Sequence, residues 1–188
     1  MAAIRPSRRA LPRSFYDRPA PTVAKELLGA ELTHEVGDTV RRIRLVETEA
    51  YVQGDAASHS FRGPTARNRS MFHRPGTLYV FRIHQVVCAN AVTREGEAVL
   101  FRAGEPREGV VGSTSGPGRL CRALGLEIRH DGLDLVHGPV RIAAGPPRAP
   151  PVVTGTRVGI RRATELPFRF AINGDPWVSR PRPEGWVA

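Results

Sequence analysis

The chain has 188 residues, enough for one domain with a sizeable core. Its 28 Lys+Arg against 18 Asp+Glu leave a net charge of +10 and a pI near 11.1, the balance of a protein that meets a polyanion, either nucleic acid or an anionic membrane surface. No apolar run reaches a membrane span, no long basic amphipathic helix is present to lie on a bilayer, and the basic N-terminus lacks the apolar core of a signal peptide. A cytoplasmic protein with no membrane association is expected. All the basic residues but Lys25 are arginines; arginine suits bidentate phosphate contacts, although a compositional bias accounts for the skew equally well. Cys88 and Cys121 form no CxxC pair, which argues against zinc and iron–sulfur sites and for two reduced, structural thiols.

In chain order, residues 1–13 read as a flexible basic arm. Pro21-Thr22 signals a helix start, with Val23, Leu27, Leu28 and Leu32 on one face. From Val40 to Tyr51 the period becomes two: Ile43, Leu45, Glu47, Glu49 and Tyr51 share one face of a strand. Residues 53–70 read as a polar loop. Thr77–Ile83 and Val86–Val92 read as a hairpin around His84-Gln85, a poor pair for a two-residue turn, so a longer or bulged tip is expected. Glu97–Ala103 is a further strand, Gly109–Gly118 a Gly/Ser-rich loop, and Arg119–Leu126 a short helix. Leu133–Val136, Thr156–Ile160 and Phe168–Ile172 read as strands, 144–151 as a Pro-rich loop, and 181–188 as a loose tail. Strands that do not alternate regularly with helices argue for a single α+β domain: a largely antiparallel curved sheet flanked by short helices.

The chemistry is narrowed by what is missing. The P-loop ending, the GxGxxG turn, the zinc-deaminase signature and the GxSxG elbow are all absent, and the six histidines have no metal-ligand spacing. No metal and no cofactor are expected. An enzyme acting on nucleic acid without these needs a carboxylate base, and hydrolysis of a glycosidic bond needs a water deprotonated beside a cationic sugar. Glu47 and Glu49 are the candidates; at i and i+2 on a strand they point the same way, about 7 Å apart. A solvated strand end carrying two surface acids explains the pattern equally well. The glycines before Arg119 and the following helix N-terminus could hold a backbone phosphate, or be a bland loop.

Several longer runs carry more. Val46-Glu47-Thr48-Glu49-Ala50-Tyr51, Ala57-Ser58-His59-Ser60, Arg67-Asn68-Arg69-Ser70-Met71-Phe72 and Pro75-Gly76-Thr77-Leu78-Tyr79-Val80 are followed by Val99-Leu100-Phe101-Arg102-Ala103. Then come Gly116-Pro117-Gly118-Arg119-Leu120-Cys121, Arg157-Val158-Gly159-Ile160 and Pro176-Trp177-Val178-Ser179. In this order the series resembles the alkyladenine (3-methyladenine) DNA glycosylase family over residues 14–180. The resemblance implies a glycosylase domain with a protruding β-hairpin for the minor groove of double-stranded DNA. It also implies a monomer that flips a damaged purine into a pocket.

It further implies site roles. Glu49 matches the base that activates water, and Arg102 the residue that helps place carboxylate and water. Tyr51 and His59 match one wall of the base pocket, Phe81 the other, where an aromatic attracts an electron-deficient alkylated base. Asn90 matches the position that crowds the 2-amino group of guanine, and Glu47 takes a supporting role. Arg67 and Arg69 are expected to contact the DNA backbone. The family's wedge is a tyrosine; here the tip departs from the pattern, with His84 the best match and Gln85 the alternative. The single lysine lies away from these motifs, so a Schiff base with the sugar is not expected and the enzyme should be monofunctional. Two other readings stand beside this one: a non-catalytic protein that binds damaged DNA or RNA, and an N-glycosidase of free nucleosides, which the charge of +10 disfavours.

Overall fold

The computed structural model describes residues 9–146 and 150–187. The described chain is α+β, with eight strands in one curled sheet and a few short helices, as the sequence led us to expect. The strands are β1 (Glu31–Val36), β2 (Thr39–Tyr51), β3 (Leu78–Ile83), β4 (Val86–Val92), β5 (Ala98–Glu108), β6 (Val140–Ala143), β7 (Val152–Gly155) and β8 (Arg169–Ile172). The helices are α1 (Arg13–Tyr16), α2 (Ala20–Glu26) and α3 (Pro117–Leu124). The sheet order is β3-β4-β5-β2-β1-β6, and β8 pairs with both β2 and β7. Every pairing is antiparallel.

β2 is the spine. It lies against β5 along most of its length, while its other edge pairs first with β1 and then, from Glu47 to Glu49, with β8. The β2–β5 ladder shifts register between Arg42 and Ile43 and again around Glu47, where Leu45 faces Gly104, Glu47 faces Ala103 and Thr48 faces Phe101. Val46 on β2 and Arg102 on β5 are therefore each left out of the register. Such bulges bend a strand and re-aim a side chain. The main core is aliphatic, with Val23, Leu27, Leu45, Val46, Leu120 and Leu124 fully buried.

Local chemistry departs from expectation in several places. The first long helix ends at Glu26, because Gly29 adopts φ +86° and turns the chain; Leu32 thus lies in β1, not on the helix. The hairpin tip is tight, with Ile83 paired directly to Val86. His84 takes φ +50°, a region that histidine enters more readily than most residues, so two residues suffice. Leu133–Val136 is a turn joined to the sheet by one bridge, Thr77 to Asp134. Thr156–Ile160 is loop, the strand there being β7 just upstream. Of the expected arm, residues 1–8 lie outside the described residues. The remainder is tied down: Ala10 bridges Ala143, Leu11 N–H bonds the carbonyl of Ile142, and Arg13 pairs with Asp134 at 2.8 Å. The tail through residue 187 is also anchored, Val187 N–H donating to Asn173 Oδ1 at 2.8 Å and Arg182 stacking on Trp186.

Candidate active site

The irregular stretch of β2 sits over a buried ion cluster. Glu47 is fully buried. Its Oε1 accepts from Arg169 Nε at 2.6 Å and Arg102 Nε at 3.1 Å, and its Oε2 from the Ser179 N–H at 2.7 Å. Arg169 in turn gives its Nη2 to the carbonyls of Ser179 and Pro181. Glu49, two residues on, is equally buried. Its Oε1 accepts from Val158 N–H at 2.9 Å and lies 3.5 Å from Arg102 Nη1; its Oε2 accepts from the Tyr51 hydroxyl at 3.0 Å. Between them Thr48 points the other way, its hydroxyl donating to the Ala24 carbonyl of α2. The expected alternation of 47, 48 and 49 is therefore present, and the face carrying the two acids is neither apolar core nor solvated surface.

The two acids differ in how they are held. Glu47 meets three donors, two of them buried arginines. Glu49 has a backbone amide, a phenol and a longer contact to Arg102. For Glu49 burial dominates and raises the carboxyl above the usual range; Arg102, the Val158 N–H and Tyr51 pull it back only partly, and Glu47 adds to the rise. A carboxylate offers about four lone-pair sites, so Glu49 retains acceptor capacity.

All three partners of Glu49, namely Tyr51, Val158 and Arg102, line a cavity of about 520 Å³. His59, Tyr79, Phe81 and Asn90 line it too. His59 and Phe81 rings meet edge-on with centroids 4.4 Å apart, and Tyr79 lies 5.5 Å from Phe81. The His59 Nδ1 is 2.9 Å from the Tyr79 hydroxyl, and burial lowers His59 below the ordinary imidazole value. The Asn90 amide donates to the Tyr79 carbonyl at 3.0 Å. Burial raises Tyr51 and Tyr79 far above the phenol value, so both hydroxyls stay protonated.

The structure thus brings Glu49, Arg102, Tyr51, His59, Phe81 and Asn90 together. His59 stands beside Phe81 and Tyr79. His84 and Gln85 are exposed at the hairpin tip, flanked by exposed Ile83 and Val86, and His84 reaches the cavity rim. Arg67 and Arg69 are exposed on the segment that leads into a 3-10 turn (Arg69–Phe72). Arg67 shares an adjoining hollow of about 410 Å³ with Phe61, Arg62, Arg82 and Arg162. No cluster of His, Cys, Asp or Glu suited to a metal occurs among the described residues.

Sequence reasoning missed several parts. Tyr79 lay inside a quoted run but was given no role. Arg169 carried one usable signal, a charged residue at the start of an apolar strand. The Arg157–Asp55 pair, whose side chains are completely buried, packs behind Tyr51: the Arg157 guanidinium lies 4.6 Å from that ring and holds the carbonyls of Ala50 and Ala163. The Val158 amide leaves no sequence signal, because any residue but proline supplies an N–H.

A buried carboxylate behind an aromatic-walled cavity, in a chain of net charge +10, suits a planar group carried on a polyanion. The family model of methylpurine-DNA glycosylase matches residues 14–176. A protein of Anaeromyxobacter dehalogenans is 48% identical over 182 residues, covering 92% of this chain and 87% of its own. One from Rhizobium etli is 43% identical over 182 residues (90% and 88%), and one from Methanoculleus marisnigri 45% over 190 residues (90% and 98%). All three carry the words 3-methyladenine DNA glycosylase in their names. The chain belongs to the methylpurine-DNA glycosylase family, DNA-repair hydrolases that act on N-glycosyl bonds.

Proposed function

We propose that the protein is a monofunctional, monomeric glycosylase of base excision repair that acts in the cytoplasm on double-stranded DNA. It flips 3-methyladenine, and also hypoxanthine and 1,N6-ethenoadenine, out of the duplex and hydrolyses the bond to the sugar. The observation that carries this reading is Glu49: a buried carboxylate with spare acceptor capacity, directly behind a cavity walled by Tyr51, His59, Tyr79 and Phe81. Stacking against these rings suits a cationic alkylated base, which leaves as a neutral molecule while Glu49 takes a proton from the attacking water; hypoxanthine and 1,N6-ethenoadenine, neutral in DNA, take a proton from solvent as they leave. Arg102 holds the carboxylate in place from the side. The Tyr51 hydroxyl sits on Glu49 Oε2 and yields that position to water when the ring turns to stack on the base. Asn90 narrows the cavity against a 2-amino group. His84, helped by Gln85, fills the gap left in the duplex, and Arg67 and Arg69 hold phosphates.

The test is base release from duplexes bearing each lesion, read as strand cleavage after hot alkali. Cleavage by the native chain, lost in Glu49→Gln while duplex binding persists, supports the reading. No release of any of the three bases at moderate salt overturns it, and leaves a protein that binds damaged DNA without cutting it.

A further inference from the structure

The buried Arg157–Asp55 pair lies where three segments of the active site meet. β8 pairs with β2 only as far as Glu49, opposite Arg169. One residue on, the Ala50 N–H donates to the Phe168 carbonyl at 2.8 Å, and the Ala50 carbonyl accepts from Arg157 Nη1 at 3.1 Å. That nitrogen and Nη2 also meet the two oxygens of Asp55. Asp55 Oδ1 accepts from the Ala57 N–H at 2.9 Å, which shapes the turn leading to His59. Nη2 further donates to the Ala163 carbonyl at 3.3 Å and so closes the loop 157–163, whose residues 158–162 line the base cavity.

Both terminal nitrogens of the Arg157 guanidinium are in use, while its Nε is buried with no hydrogen-bond partner among the described residues. An ion pair taken wholly out of water is weak evidence for stability, because desolvation offsets much of the attraction and apolar residues of like volume often serve as well. Packing alone therefore does not account for this pair. What it joins are two of the contacts that surround Glu49. Val158, the next residue after Arg157, gives its N–H to Glu49 Oε1 at 2.9 Å. Tyr51, whose hydroxyl sits on Glu49 Oε2 at 3.0 Å, has the Arg157 guanidinium over its ring, 4.6 Å from the centre. With the loop held at Ala163 and the strand at Ala50, a shift of either Val158 or Tyr51 strains a bond made by Arg157.

We propose that Arg157, fixed by Asp55, is a positioning residue of the reaction: its planar fork sets the Val158 N–H and the Tyr51 ring against Glu49, and so decides which lone pairs of the carboxylate remain for water. The inference rests on Glu49 as the group that activates water. Arg157 stands behind the Tyr51 ring and not among the residues that line the cavity, so it acts through its two partners and not on the base.

The experiment titrates Glu49 in the protein without DNA, by carbon NMR of labelled glutamate carboxyls, its signal assigned by its absence in Glu49→Gln. The Val158 amide is followed in the same samples, and in the native chain its shift should move with the Glu49 titration. Arg157→Lys keeps a charge beside Asp55, but an ammonium cannot span a carboxylate and two carbonyls as the guanidinium does. There the Val158 amide should cease to follow Glu49, and Glu49 should titrate at higher pH: burial raises that carboxyl, and the Val158 N–H is, after Arg102, the chief group holding it down. The acid limb of single-turnover base release should rise with it, and the rate at saturating enzyme should fall on the order of 10²-fold, more than the affinity for lesion duplex. Asp55→Asn combined with Arg157→Gln strands no buried charge and should behave alike, which keeps the test readable if Arg157→Lys melts early. The direction of the shift separates positioning from mere loosening, since a slack site would lessen burial and move Glu49 down. A native titration with the Val158 coupling intact, or a downward move, overturns the proposal. A native chain that releases no base overturns the proposed reaction and leaves the titration to decide the linkage.

Discussion

Two isosteric substitutions, two residues apart on β2, should have opposite consequences. Glu47→Gln removes the charge that meets Arg169 at 2.6 Å and Arg102 at 3.1 Å, with side chains only 3% and 9% exposed. The neutral amide keeps one acceptor oxygen for three donors and turns an NH2 group toward one of them. Stranding buried charge in this way costs about 3–5 kcal/mol, and for a chain of this length about 2–4 °C of Tm per kcal/mol, so a fall of about 6–20 °C is expected. Glu49→Gln works the other way. The fold raises the Glu49 carboxyl, burial being the main cause, so the folded state holds that proton more tightly than the unfolded chain does. Stability from this group is therefore present at low pH and is lost as pH rises through the unfolded and then the folded value. At pH 7.5 the ionised carboxylate is a net cost that Gln removes: Tm should stay level or rise, and the gap to the native chain should close on acidification. Base release should nonetheless drop about 10²–10⁴-fold. Thermal melts followed by circular dichroism at pH 5 and 7.5, with the alkali-cleavage assay alongside, decide the matter. A Glu47→Gln protein melting within 2 °C of native, or a Glu49→Gln protein falling as far as Glu47→Gln, would refute the division of labour.

Three further outcomes are expected. Activity should fail on the acid side at a pH above that of an ordinary carboxylate, because Glu49 must be ionised to accept a proton; Arg102→Met removes the cation that lowers Glu49, so the acid limb of single-turnover kcat should move to higher pH. Replacing Arg67 and Arg69 together by Gln should reduce the slope of log K against log salt by about 1.8 if each meets one phosphate, with the single-turnover rate at saturating enzyme unchanged. Phe81→Ala should weaken retention of a flipped base by about 1–3 kcal/mol, the usual worth of one base–aromatic contact, read as a rise in KM for lesion duplex larger than the fall in kcat; an equal loss on undamaged duplex would contradict it.

How far the sequence carried the reading depended on the kind of signal. The β2 alternation was visible because period two is a local pattern, and so were β3 and β4. The extent of α2 was not: Leu27, Leu28 and Leu32 mimic a helical face, and only the turn at Gly29 with φ +86° separates them. The tight hairpin tip depended on a conformation of one residue, His84. Strands β1 and β6, missed altogether, pair with each other across about a hundred residues of chain, a long-range pairing that no local pattern announces. In the site, individual residues were legible and their grouping was not. Glu47 and Glu49 stood out as acids on an apolar face, but Arg169 and Ser179 reach Glu47 from more than a hundred residues away.

The irregularity between β2 and β5 explains how a strand can carry this cluster at all. In an unbroken ladder, Arg102 would sit opposite a β2 residue, aligned with one cross-strand neighbour. The bulges at Val46 and Arg102 cancel over the length of the ladder, so the pairing resumes in step from Thr48 to Tyr51. Between them Arg102 is freed to lay its Nε on Glu47 and its Nη1 near Glu49. One guanidinium thus spans both acids, while Arg169 supplies a second charge to Glu47 alone. The four-residue cluster is neutral as a whole but uneven within: Glu47 is fully matched and fixed, and Glu49 is left with the weaker share. That unevenness leaves a buried carboxylate above the usual range, as the role proposed for Glu49 requires, and the cost of keeping it is met by the packing of β2 against β5 and β8.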